Sequence, residues 1–433
     1  MEILEEKIKE VESFRDNYYQ HFPKSTSAEK CRAVREKVLP LIQDIPLDLN
    51  GHSSASAGYN YISGRILNIC MEYDANCERH LLRAVKLEPL LSDAWYELGK
   101  CIWKKDDFMT AVDCFRVSTK SLSLKRSAKA LASLSVALRQ IAVPTMEPKI
   151  RQSLHDEALQ LSLEAVELDP DDVEGWHALG NSYLMQFFNK QQADTELMDK
   201  AREAYERALQ LSDSPDLHFN YSTALKFSQS YRECLKHMKI ATVYDPRFLE
   251  AKERLKTLLS FLKQINDNVR RKGKLSAKKM RNFQTSITDK DFGIYCKEPF
   301  KKKNAKIEML KAISFRELNE GINNDVVICG KVIAVVLNPE VIPYTFIGCD
   351  KEGSCCAFAI YNVSEKFGLV IGDSIAVPEP NIIAVKISSE ENECENFDFR
   401  IVRIINPLMM LQNGKTVSLK YVAFCSTTID SYS

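Results

Sequence analysis

Apolar residues recur every three or four positions through the first part of the chain, the spacing of one buried helix face. This pattern predicts two N-terminal amphipathic helices, at about Glu2–Tyr19 and Ala28–Ile45, and a long helix at about Phe248–Arg271. Between them, helices come in pairs. After about residue 305 the period changes to that of strands. Strands are expected at Val326–Leu337, Tyr344–Gly348, Cys355–Asn362, Ser374–Val377, Ala384–Ile387 and Phe397–Ile405, with a hairpin turn at Asp350-Lys351-Glu352-Gly353 and a short helix at Val363–Phe367. The chain therefore reads as mainly α, with a β domain at its C-terminal end. Expected boundaries are 1–265 for the helical part, 266–304 for a basic linker and 305–433 for the β domain.

The helical part repeats itself. Ala94-Trp95-Tyr96-Glu97-Leu98-Gly99 returns as Gly175-Trp176-His177-Ala178-Leu179-Gly180, and the two Trp residues are 81 positions apart. Leu98, Gly99, Ala111 and Phe115 after Trp95, and Leu179, Gly180 and Tyr183 after Trp176, fit the tetratricopeptide pattern, whose period is about 34 residues. Small residues in it let two helices approach closely, and a Pro stops the second. A degenerate repeat lies between, with Leu131–Arg139 as its first helix and an insertion at Val143–Ile150. The Trp176 repeat carries another insertion, at about Phe187–Asp199. A repeat at Tyr59–Pro89 precedes them and one with Ala241 and Pro246 follows, which makes an α-solenoid superhelix with capping helices. The strands, with Gly372-Asp373 before the fourth, fit a five-stranded Greek-key barrel of the OB type. Its strands are rich in Val, Ile and Cys, without interleaved aromatics and cations. That favours a scaffold or protein-binding barrel over nucleic-acid readout.

Stacked repeats turn one row of first-helix residues toward a concave groove suited to an extended peptide. The register places Asp93, Lys129, Glu174, Asp216 and Glu250 in this row, with Tyr96, Ala132, His177 and Phe219 one turn on. Lys100, Val136, Asn181 and Thr223 follow, then Trp103, Arg139, Leu184 and Lys226. Carboxylates gather toward the C-terminal end and Arg139 stands further up, so a peptide with neighbouring Arg and Glu side chains would match. The candidate peptide contacts are Arg139, Asp216, Glu250, Asn181 and Lys226. The carboxylate-clamp pattern of chaperone cofactors is only partly present.

Composition narrows the reading. The 433 residues carry 59 Lys+Arg against 59 Asp+Glu, so any nucleic-acid contact must be local. It is local here: Arg270–Arg281 holds seven cations in 12 residues, with no acid before Asp289, and Lys301-Lys302-Lys303 follows. Arg271, Lys272, Lys274, Lys278 and Lys279 suit phosphate-backbone contact, and a solvated linker is the other reading. The 13 Cys lack any CxxC and the His residues lack metal-ligand spacing. No catalytic constellation, cofactor motif or membrane-length apolar run stands out. The acidic, amphipathic N-terminus does not read as a secretory signal. These features predict a soluble intracellular non-enzyme.

Repeats, a basic joint and a terminal OB barrel together resemble the family of tetratricopeptide repeat protein 5, also called Strap. The most specific stretches are Leu138-Arg139-Gln140, Leu179-Gly180-Asn181-Ser182-Tyr183-Leu184, Pro215-Asp216-Leu217-His218, Val370-Ile371-Gly372-Asp373-Ser374 and Val377-Pro378-Glu379-Pro380-Asn381. The resemblance implies a non-enzymatic adaptor, without cofactor, in tubulin autoregulation. Such an adaptor recognises the Met-Arg-Glu-(Ile or Cys) start of nascent α- and β-tubulin at the ribosome and brings in a downstream mRNA-decay adaptor. It also implies, as an alternative, a nuclear cofactor of histone acetyltransferase coactivator complexes in stress-responsive transcription. Cytoplasm and nucleus are both expected, and no membrane. The family's peptide-groove residues carry over as Arg139, Asp216 and Glu250. Of its ribosomal-RNA cations, one matches Lys278 and the other position is Ser276 here.

Overall fold

The computed structural model describes residues 2–45, 56–120, 127–142, 147–190, 194–295, 310–339, 343–388 and 396–423. Lys301-Lys302-Lys303 lies outside them. The chain divides into two compact units. The first comprises Met1–Gln186, Glu196–Ala224 and His237–Ala251, and the second Phe187–Thr195, Leu225–Lys236 and Lys252–Ser433.

The helical region begins with α1 (Glu2–Asp16) and α2 (Ser27–Gln43), where Thr26 and Glu29 form a capping box. Paired helices follow: α3 (Ala57–Leu67) with α4 (Ala75–Leu87), α5 (Ser92–Trp103) with α6 (Phe108–Lys120), and α7 (Ala128–Ile141) with α8 (Pro148–Leu168). Then come α9 (Val173–Asn189), α10 (Thr195–Leu211), α11 (Pro215–Phe227), α12 (Tyr231–Tyr244) and α13 (Leu249–Arg270). The pairing rests on the small residues of the repeat. A Cβ on Gly64 would lie 2.5 Å from Leu81, one on Gly99 2.6 Å from Phe115, and one on Gly180 2.8 Å from Tyr205. Any side chain there would push the paired helices apart. The Trp residues act as clasps as well as core. Trp95 Nε1 donates to Pro89 O at 2.9 Å and Trp176 Nε1 to Pro170 O at 2.8 Å, tying each first helix to the end of the preceding one. Where insertions are expected, the described helices are longer: α8 has 21 residues where α6 has 13, and α9 runs to Asn189.

Within the first unit the superhelix comes round on itself. Arg247, after α12, donates from Nε to Ser25 O at 3.1 Å and from Nη2 to Lys24 O at 3.3 Å, just before α2.

In the second unit, β1 (Val326–Val336) pairs antiparallel with β2 (Tyr344–Cys349), and β2 with β3 (Cys355–Ile360). β3 runs parallel to β6 (Phe397–Ile404), which pairs with β5 (Asn381–Ile387), and β4 (Ser374–Pro378) pairs with β1. Only Glu379 and Pro380 separate β4 from β5, and Glu379 has a φ of 43°. They are one strand bent at that point, so a fifth strand joins both β1 and β6 and closes the barrel. Phe346 and Phe358 stack at 4.8 Å in its core, with Phe315 against Phe358. The expected helix at Val363–Phe367 is absent. Val363 bridges to Val422 instead, and Phe367 N closes a turn on Ser364 O at 2.9 Å, so backbone pairing outcompetes the helical option.

The stretch read as a linker is structured through Tyr295. After α13, Lys272, Gly273 and Lys274 all have positive φ (51°, 65° and 57°). A Cβ on Gly273 would lie 2.7 Å from Ile333 O of β1, so the turn packs on the barrel backbone and requires glycine. A helix α14 (Ala277–Ser286) follows, capped by Ser276, and Tyr295 Oη donates to Met409 O at 2.5 Å. Among the described residues, no helix is long and apolar enough to cross a membrane.

Candidate peptide groove and basic surface

A cavity of about 530 Å³ opens in the first unit, lined by α5, α6, α7, α9 and α11. Most of its lining comes from the row that the repeat register turns inward. The apolar wall is Trp103, Phe115, Ala132 and Val136, and the polar wall is Glu174, His177, Asn181, Asp216 and Asn220, with Lys100 and Lys104 at the α5 side.

The walls differ in charge. Lys104 Nζ is tied to Asn68 O, Asn68 Oδ1 and Cys70 O at 2.5–2.7 Å. Lys100 pairs with Glu97 at 3.3 Å and lies over the Tyr96 ring. Opposite, Asp216 reaches solvent, yet the surrounding protein, and then Asp245, raise its carboxyl above the usual aspartate range. Desolvation and then Asp172 raise Glu174 likewise. Burial, with Arg139 nearby, depresses His177 to about 4. Its ring is neutral at pH 7, which suits Asn220 Nδ2 donating to its Nε2 at 2.8 Å.

Arg139 sits beside this cavity, half-buried on α7. Its Nη1 donates to Ser135 Oγ (2.8 Å), Ser182 Oγ (2.6 Å) and Ala178 O (3.2 Å), and Ala178 is itself a lining residue. No carboxylate pairs with it among the described residues, and burial lowers its pKa to about 10. A guanidinium held by neutral oxygens, with Nε and Nη2 unspent, is a prepared anion site. Ser135 and Ser182 are fully buried, and Ser162 joins them at 3.3 Å from Ser182. These serines escape a repeat-pattern reading because the pattern asks only for small residues there.

Of the expected peptide contacts, the structure brings Asn181 and Asp216 into the cavity wall and Arg139 against it. Asn181 Oδ1 accepts from Tyr205 Oη at 2.8 Å. Glu250, in the first turn of α13, and Lys226, near the end of α11, are not lining residues, and Lys226 belongs to the second unit. Glu174, His177 and Asn220 stand in the wall without having been singled out. The N-terminal helices also contribute. Lys30 of α2 acts on Asp216, and Arg15 of α1 on Glu174. Among the described residues, no group of His, Cys, Asp and Glu could hold a metal ion.

The basic surface belongs to the second unit. Arg271, Lys272, Lys274, Lys278 and Lys279 are all exposed, and none makes an ion pair among the described residues. Lys278 and Lys279 occupy the first turn of α14, where the helix dipole disfavours cations. Lys272 and Lys274 hold left-handed backbone that costs a non-glycine residue about 1 kcal/mol each. Ser276 Oγ accepts from Lys279 N at 3.3 Å, so this serine caps the helix that presents Lys278 and Lys279.

Residues 309–426 match the family model described as the tetratricopeptide repeat protein 5 OB fold domain. Human tetratricopeptide repeat protein 5 is 32% identical over 416 residues, covering 95% of this chain and 92% of the human one. The Bos taurus protein is 31% identical over the same length, and the Mus musculus protein 32% over 406 residues, 93% of this chain and 90% of that one. With its helical repeats and OB barrel, the chain belongs to the tetratricopeptide repeat protein 5 family of adaptor-type repeat proteins.

Proposed function

We propose that this protein reads the Met-Arg-Glu-(Ile or Cys) start of nascent α- and β-tubulin on the ribosome and leads an mRNA-decay adaptor to the translating message. The observation that carries the reading is the two-signed groove. Asp216 and Glu174 offer carboxylates to the peptide arginine. Arg139, with no carboxylate of its own, offers unspent donors to the peptide glutamate. Asn181, in the same wall, bonds the peptide backbone, and Glu250 adds a carboxylate from the neighbouring repeat of the first unit. Charge-assisted bonds of this kind contribute roughly 1.5–3 kcal/mol each. Arg271, Lys272, Lys274, Lys278 and Lys279 meet ribosomal-RNA phosphates, a task that explains exposed cations without ion pairs, two of them on left-handed backbone. The nuclear reading, a scaffold for histone acetyltransferase coactivators, leaves those bare cations without a task.

Fluorescence anisotropy of a labelled Met-Arg-Glu-Ile peptide with the full chain tests the groove. Saturable binding, lost when the peptide Arg and Glu are exchanged in order, supports the reading. Equal affinity for both peptides sinks it.

A further inference from the structure

The hairpin of β2 and β3 carries a second kind of chemistry. Cys349 and Cys355 are directly opposed in its ladder. Asp350 N donates to Ser354 O at 3.0 Å, which makes that pair the hydrogen-bonded one and the adjacent Cys349–Cys355 pair the non-hydrogen-bonded one. Opposed residues of that kind have Cα atoms about 4.5 Å apart, within the roughly 4.4–6.8 Å that a disulfide spans. Each thiol donates to a nearby backbone carbonyl, Cys349 Sγ to Asp350 O at 3.5 Å and Cys355 Sγ to Gly353 O at 3.9 Å. They differ in surroundings. Cys349 is 1% exposed, whereas Cys355 reaches solvent.

The setting is basic. A Cβ on Gly353, in the turn between the two cysteines, would lie 3.8 Å from Lys272 Nζ, so this lysine stands over the hairpin. The neighbouring Cys349 thiol, and then Lys272, draw the Cys355 thiol below its ordinary pKa, while Cys355 and burial raise Cys349. Cys355, the thiol that solvent reaches, is the nucleophile, and the buried Cys349 is the resolving thiol. Cys356 is fully buried in the barrel core, and burial pushes its thiol up to about 12.

We infer that Cys349 and Cys355 form a peroxide-sensitive modification site that closes to a cross-strand disulfide. The Cys355 thiolate attacks one oxygen of a hydroperoxide, the O–O bond breaks, and the departing oxygen leaves as water or alcohol after taking a proton. The Cys349 sulfur then displaces the hydroxyl of the resulting sulfenic acid, and a second water leaves. Two thiols are oxidised to one disulfide and the peroxide is reduced. The bond would lock the hairpin beneath Lys272.

A second thiol pair provides the internal control. Cys77 and Cys101 are also neighbouring thiols, but Cys77 is 1% and Cys101 0% exposed. The full-length protein is reduced, exposed to hydrogen peroxide, blocked with N-ethylmaleimide after denaturation and digested with trypsin, which cuts after Lys351 between the two hairpin cysteines. We expect the two flanking peptides joined through Cys349 and Cys355, released by dithiothreitol, and Cys77 and Cys101 alkylated. C355S and C349S should each abolish the linked species, and K272M should slow its formation severalfold with the circular dichroism spectrum unchanged. Free thiols at 349 and 355 after peroxide overturn the proposal. So does irreversible oxidation of Cys355 with Cys349 untouched, or linkage of Cys77 to Cys101 at the same rate.

Discussion

The groove of the first unit and the basic surface of the second both carry charge, in opposite physical states. In the groove, buried serines hold the half-buried Arg139, and the surrounding protein lowers its pKa and raises the carboxyls of Glu174 and Asp216, which still reach solvent. On the basic surface the cations are exposed and without ion pairs among the described residues. Sheltered charges act over a few ångströms, depend on geometry and are poorly screened. Exposed ones act at a distance and weaken within a Debye length of roughly 8–10 Å. The first state suits discrimination between ligands, the second attraction of a polyanion without reading it.

The largest effect expected is at Arg139. R139D should weaken Met-Arg-Glu-Ile binding by more than about 100-fold, since it removes a charge-assisted bond worth roughly 1.5–3 kcal/mol and adds repulsion. Raising the salt concentration should change the wild-type peptide affinity little. Anisotropy reads both, and unchanged affinity in R139D would remove Arg139 from the site.

Reversing Lys274, Lys278 and Lys279 to Glu should do the converse. Cosedimentation with translating ribosomes should fall about tenfold near physiological salt, with a shallower salt dependence, because fewer counterions are released. Affinity for the free peptide should stay within about twofold. Loss of the peptide as well would merge the two regions into one site.

A smaller effect concerns pH. Glu174 and Asp216 titrate above their ordinary values because burial disfavours their charge, and a bound cation would pull those values down. Protons then leave on binding, so peptide affinity should rise severalfold as pH climbs through the upper carboxylate range toward neutrality. Affinity that falls over that interval contradicts the assignment of the peptide arginine to these two groups. In D216N the rise should be shallower.

His177 sharpens the comparison from the stability side. Its folded pKa is depressed, so its contribution is full above the unfolded value of about 6.5 and is lost as pH falls toward 4. H177Q should unfold at lower pH than the wild type in an acid titration followed by circular dichroism. An identical acid midpoint would mean that the ring is solvated.

Much of this was legible in the chain itself. Helix pairs, their glycines and the inward row follow from periodicity, because an amphipathic face must be buried and only a small residue admits a second helix so closely. Asn181 and Asp216 were placed by that row, and the strands by their alternation and turn residues. The N-terminal helices at the carboxylate wall, through Lys30 and Arg15, depend on how far the superhelix turns, a sum of small rotations that no local pattern encodes. The buried serines beneath Arg139 answer to neighbours on other helices. The packing of Lys272–Lys274 on Ile333, and of Val363 against Val422 rather than in a helix, was likewise decided between segments distant in sequence. Local sequence determined which elements form and which face each one buries. Only the tertiary structure decided which charges lost their water, because desolvation belongs to surroundings assembled from the whole unit.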